Sequence, residues 1–333
     1  VLGIFVGTIV LDDGAIEETR SSSPPFIALS VDGSSPTQTV EVHGDWTIEV
    51  RDPDGTLASQ HTFTNDLTED GARALAGLLA GTFFPGGFDG SGSKWSVYLV
   101  PGSGFGTVCD DPVPILGCVM RDIDGLSVSG PADRDDPGVL TLSGELIAES
   151  DGNITSVGTY LDGEYIDLVG PGGPFTRVDF FSDTKPVLAG QRVFAKVDLS
   201  FSSDFSAPSN GLAGLLAGNY SIRGSFVTLD SGTGGSPPCI LDLGGTPVIQ
   251  PCFIGESEGL TVSGPRDFSD PAVVVFEGSV VADQDGNLDF AAVTLSLDPT
   301  SVDTPLLGFG DNFDDQAVVA GQSIDFDFTI DFQ

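Results

Sequence analysis

The sequence predicts an all-β protein: two tandem, duplicated β-sandwich domains of jelly-roll or Ig-like type, each with one short helix, preceded by an apolar N-terminal strand. Three observations lead there. Most of the chain is an internal duplication. Its strands read as short alternating or apolar runs separated by turn residues. The 333 residues include 45 Gly, 22 Pro and 23 Phe, a composition suited to turns and pleated, half-buried surfaces.

The duplication is read from landmarks that recur in the same order. Gly125-Leu126-Ser127-Val128-Ser129-Gly130-Pro131 returns as Gly259-Leu260-Thr261-Val262-Ser263-Gly264-Pro265. Asp151-Gly152-Asn153 returns as Asp285-Gly286-Asn287, and Leu75–Gly81 as Leu212–Gly218. Ala189-Gly190-Gln191 returns as Ala320-Gly321-Gln322. A period this long makes each copy a whole domain rather than a solenoid repeat. The expected division is an N-terminal strand and linker over 1–25, a first domain over 26–200 and a second over 201–333.

Each copy follows one plan. An alternating strand enters first, Trp46–Val50 in one copy and Val193–Phe201 in the other. A short helix follows, started by Thr68 and Asp70 in the first copy. It ends at Gly81 or Gly218, where glycine accepts a left-handed cap. The runs Val139–Ile147 and Ala272–Val281 then lead into Asp-Gly-Asn, read as a hairpin turn, with Asn153–Leu161 and Asn287–Leu297 as the returning strands. The last strands are Arg192–Phe201 and Ser323–Phe332. In the latter, Ile324, Phe326, Phe328, Ile330 and Phe332 share one face, and Asp325, Asp327 and Asp331 the other. Arg192–Phe201 closes the first copy and opens the second, so the domains are expected in a fixed relation.

Charge narrows the partners. Against 49 acidic residues stand 12 basic ones, a net charge of −37. Such a field repels nucleic acid and anionic lipid, keeps the chain hydrated and attracts cations. No apolar run is long enough to span a membrane as a helix. The apolar start without Met reads as a processed N-terminus, which implies secretion to the exterior or cell surface.

Cys109 and Cys118, and Cys239 and Cys252, flank Pro-containing loops at matching places in the two copies. They are expected to pair as Cys109–Cys118 and Cys239–Cys252, a pattern of oxidising compartments; Cys-x-x-Cys zinc spacing is absent. The cofactor candidate is Ca²⁺, from the oxygen-rich run Asp283, Asp285, Asn287 and Asp289. That run lacks the terminal Glu of an EF-hand loop, and a plain turn competes with it. Asn153 and Asn219 match the N-glycosylation pattern. His43 and His61 have no counterparts in the second copy and no zinc or triad spacing. The chain therefore reads as a non-enzyme.

Val1–Leu11 is the most apolar stretch, with Val1, Leu2, Ile4, Phe5, Val6, Ile9, Val10 and Leu11 as candidate assembly residues. It reads either as a first strand of its own domain or as a donor strand for the next copy, with Asp12–Pro25 as connector. Phe63–Gly81, Leu142–Gly158 and the Ala-Gly-Gln strands resemble segments of phage and archaeal-virus appendage proteins. The plan as a whole is similar to donor-strand-assembled surface filaments of prokaryotes. These resemblances imply a structural role with copies of the chain itself as partners: a pilus-like, head-to-tail filament subunit. Rival expectations are a virion fibre or spike protein, and a secreted Ca²⁺-dependent adhesin or carbohydrate-binding module.

Overall fold

The computed structural model describes residues 26–29, 37–85, 95–101, 118–121, 126–131, 138–148, 151–165, 173–180, 183–203, 209–218, 220–230, 239–243, 246–250, 253–258, 260–266, 269–282, 285–299 and 306–332. In chain order the first elements are β1 (Phe26–Leu29), β2 (Thr37–Arg51), β3 (Leu57–Asp66), α1 (Glu69–Ala80), β4 (Phe83–Pro85), β5 (Trp95–Pro101) and β6 (Cys118–Arg121). Next are β7 (Ser127–Ser129), β8 (Val139–Ile147), β9 (Gly152–Leu161), β10 (Gly163–Tyr165), β11 (Thr176–Asp179), β12 (Lys185–Val187) and β13 (Arg192–Ser203). Then come α2 (Ser209–Ala217), β14 (Tyr220–Asp230), β15 (Cys239–Leu243), β16 (Thr246–Gln250) and β17 (Phe253–Glu258). The last are β18 (Thr261–Ser263), β19 (Val273–Val281), β20 (Gly286–Pro299), β21 (Leu306–Val318) and β22 (Ser323–Phe332). The all-β expectation holds, with two helices among the described residues.

The largest sheet has nine strands in the order β18-β19-β22-β2-β13-β8-β7, with β1 beside β22 and β3 beside β2. Two smaller sheets run β11-β9-β5-β6, with β12 also on β9, and β17-β14-β20-β21. The large sheet therefore takes strands from both sequence copies, and the expected division at 200/201 falls inside β13.

Alternation decides which face of this sheet is wet. In β22, Ile324, Phe326, Phe328, Ile330 and Phe332 are buried, and the residues between them half-exposed. Val193, Ala195, Val197, Leu199 and Phe201 of β13 are buried in the same rhythm, as are Val40, Val42, Trp46, Ile48 and Val50 of β2. A period of two places each set on one side of the pleat. The buried face meets α1, α2 and the smaller sheets. Trp46 stacks on Phe63 at 5.9 Å, and Phe63 meets Phe180 edge-on at 4.9 Å.

α1 forms where the sequence signals place it. Thr68 is the N-cap, its hydroxyl accepting from the Gly71 N–H at 3.1 Å. Glu69 and Asp70 put negative charge in the first turn, where the helix dipole favours it. Gly81 ends the helix at φ 69°, and the Thr82 N–H reaches back to the Gly77 carbonyl at 2.8 Å. Gly218 ends α2 at φ 78°.

One sequence expectation is corrected. Asp-Gly-Asn does not close a hairpin. β8 pairs with β13 and β7, whereas β9 pairs with β5, β11 and β12; β19 and β20 are separated in the same way. Gly152 and Gly286 are absent from the positive-φ glycines among the described residues, whereas the favoured two-residue hairpin turns require positive φ. The motif carries the chain from one sheet to another.

Two α1 variants check the capping. Thr68→Ala should lower the unfolding free energy by about 1 kcal/mol, from the lost cap. Gly81→Ala should lower it by a similar ~1 kcal/mol, since alanine resists a left-handed backbone. Urea denaturation reads both, and wild-type stability in either variant would contradict this account of the helix ends.

Candidate functional site

The candidate assembly residues of Val1–Leu11 lie outside the described residues, as does the connector over 12–25. The chain that follows them is placed. β1 runs parallel to β22, with Phe26 opposite Ser323 and Leu29 opposite Phe326. The start of β2 continues along the same strand, Thr37 opposite Thr329 and Val40 opposite Phe332. The path out of the N-terminal segment therefore enters the large sheet beside its C-terminal strand. β2 then runs antiparallel to β13 over Val40–Arg51. Sequence reasoning gave no sign of these parallel pairings, because each involves only four residues and parallel partners leave no turn signal between them.

The Asp-Gly-Asn and Ala-Gly-Gln motifs are brought together, and the same bonds form in both halves. Asp151 Oδ1 accepts from the Ala189 N–H at 2.8 Å, and Asp285 Oδ1 from the Ala320 N–H at 2.7 Å. The Gly190 N–H donates to Ala148 O and the Gly321 N–H to Ala282 O, each at 2.7 Å. Gln191 Oε1 accepts from Leu188 N–H at 2.7 Å and Gln322 Oε1 from Val319 N–H at 3.0 Å. Gly190 and Gly321 both need their left-handed φ, 82° and 81°, to turn the chain into this latch. Gln191 also donates from Nε2 to Asp52 Oδ1 at 2.8 Å, tying the latch to the turn between β2 and β3.

This latch bears on the calcium candidates. Of the four, Asp283 lies outside the described residues, and Asn287 and Asp289 belong to β20. Asp285 has one carboxylate oxygen engaged by Ala320. No cluster of three or more metal-ligating side chains occurs among the described residues.

The two histidines sit in different surroundings. His43, at the surface, places Nδ1 3.1 Å from Asp66 Oδ1 and Nε2 3.5 Å from Glu41. His61 on β3 has a buried Nε2 with no hydrogen-bond partner. Burial holds its pKa below the usual 6.5, the Lys185 charge pushes the same way, and Asp183 opposes them. Lys185 is 8% exposed, pairs with Asp183 and lies 5.2 Å from the centre of the Phe180 ring. Trp46 Nε1 and both side-chain polar atoms of Asn65 are also buried without partners. Sequence reading missed Lys185, because a lysine between threonine and proline gives no signal of burial.

Cys118 begins β6 and Cys239 begins β15, while Cys109 and Cys252 lie outside the described residues. No disulfide is seen among the described residues. In the hairpin of β15 and β16, Cys239 stands opposite Gln250. Of the glycosylation candidates, Asn153 lies half-buried in β9 opposite Pro186, and Asn219 is outside the described residues. No helix is long and apolar enough to cross a membrane among the described residues.

The His61 surroundings fix the sign of a pH effect. Neutral His61 is favoured in the fold, so its contribution is fully present above the unfolded value of 6.5. It is lost as pH falls through the lower folded value, because the unfolded chain binds the proton first. Replacing His61 with Phe should flatten the dependence of Tm on pH just below 6.5. An unchanged slope there would show that His61 is not the group responsible. The chain matches no family model, and comparisons with curated proteins and with solved structures find no significant match.

Proposed function

We propose that this chain is the structural subunit of an extracellular, pilus-like filament, polymerised head-to-tail through Val1–Leu11. The observation that carries the reading is the apolar segment followed by a polar connector that leads to β1 on β22. A strand of 11 residues reaches about 35 Å at ~3.3 Å per residue, enough to add along a sheet edge of a neighbour. A contact between unlike surfaces makes a fibre wherever its rotation does not close into a ring.

The body of the subunit is a tandem duplication of one sandwich unit. The strand orders support this. Matched through the sequence landmarks, β11-β9-β5-β6 in the first half corresponds to β21-β20-β14-β17 in the second, and β7-β8-β13 to β18-β19-β22. The two disulfides, Cys109–Cys118 and Cys239–Cys252, staple matching loops, each contributing about 2.5–3 kcal/mol in the chain-entropy model. Acidic surfaces keep the fibres apart, and Ca²⁺, which takes oxygen ligands, is the cation proposed for the run Asp283, Asp285, Asn287 and Asp289.

Electron microscopy of the purified full-length chain beside a variant lacking Val1–Leu11 tests the reading. Filaments from the first and monomers from the second are expected; monomers or small closed oligomers from both would overturn it. Thiol titration of the unreduced, denatured protein should find no free thiol, and titration of all four cysteines would remove the disulfides from the proposal.

A further inference from the structure

Each helix lies on strands of the opposite half. α1 packs on β19 and β22, and α2 on β13 and β8. The approach is close because the residues facing each other are small. A Cβ added to Gly130 would stand 2.7 Å from the Ala217 Cβ and 3.1 Å from the Ala213 carbonyl oxygen. One added to Gly264 would overlap the Ala80 Cβ and stand 3.3 Å from the Ala76 carbonyl oxygen. Gly130 and Gly264 are matching positions of the repeated heptapeptide, and Ala76-Gly77-Leu78-Leu79-Ala80-Gly81 matches Ala213-Gly214-Leu215-Leu216-Ala217-Gly218. One contact is therefore made twice, each time across the halves.

Polar bonds also join the halves, three of them donated by the first half to carbonyls of the second. Arg73 of α1 donates from Nε to the Asp270 carbonyl at 2.7 Å, and Thr82 donates to the Pro265 carbonyl. The buried Trp95 of β5 likewise donates from Nε1 to the Leu216 carbonyl of α2 at 2.9 Å. Those carbonyls and that indole are buried or half-buried groups that need partners, and each finds one in the other half.

We infer that the two halves are reciprocal docking partners and not independent domains. The surface of β8 and β13 around Gly130 is a seat for an Ala-x-x-x-Ala-Gly helix, and so is the surface of β19 and β22 around Gly264. The partner each seat fits is a second copy of the repeat, supplied here within one chain. Such a joint, in which each member gives and receives the same element, has the form of an isologous dimer interface. The inference rests on the duplication proposed above and is independent of filament formation.

A paired substitution tests it in the full chain. Gly264→Ala and Gly130→Ala should each lower Tm, by roughly 3–10 °C for an overpacked contact. Ala80→Gly added to Gly264→Ala, and Ala217→Gly added to Gly130→Ala, should recover part of the loss, although glycine in a helix is unfavourable by itself. Singles at wild-type Tm, or doubles melting below their singles, would overturn the inference. A protease site placed in residues 204–208 gives a second measurement that needs no change in either seat. After cleavage the two pieces should elute together and melt in one transition; separation into two pieces, folded or aggregated, would overturn it.

Discussion

The structure depends on where β2 lies. Along Val40–Arg51 it is bonded to β13, and at Thr37–Val40 to β22. These are the last strands of the first and second sequence copies. With β2 between them, two three-strand groups become one sheet with a common buried face. Burial then follows from the pleat: a residue out of register on any of the three strands would move an apolar row from the core to solvent. Trp46, 1% exposed, sits on that row and passes the packing to Phe63 and Phe180, and so to the smaller sheet.

Much of this was legible in the sequence, and the reasons differ by element. β22 was readable to the residue because period two is complete there, Phe and Ile alternating with Asp and Thr. α1 was readable because Thr68 and Gly81 bracket it with opposite signals. The Asp-Gly-Asn motif misled because its residues favour hairpins, while its Asp serves a partner 35 to 38 residues away. A local propensity and a distant hydrogen bond select the same residue type, and sequence alone does not separate them. β2 was recognised only over Trp46–Val50, since Thr37–His43 alternates just as well but follows a polar stretch that hides its start. The assembly residues of Val1–Leu11 rest on composition alone.

The few basic residues are placed with economy. Arg51 bonds Glu49, Arg73 bonds Glu69 and Asp70, Arg177 bonds Asp179, Lys185 bonds Asp183, and Lys196 bonds Asp198. All of these partners are near in sequence, and the exposed pairs among them contribute little to stability. Their effect is on the outward field: cations on the described surface are met by acids beside them, so a net charge of −37 is presented with little relief. Self-repulsion of that size opposes the compact state unless counterions gather round it.

β7 and β18 terminate the strand order of the large sheet, and each is three residues long. Their outer residues are Ser127 and Ser129 at one end and Thr261 and Ser263 at the other, all exposed. A three-residue stub with only two small hydroxyl residues facing out is a poor template for further backbone pairing. At these two ends of the strand order, side-by-side growth into ribbons is therefore disfavoured.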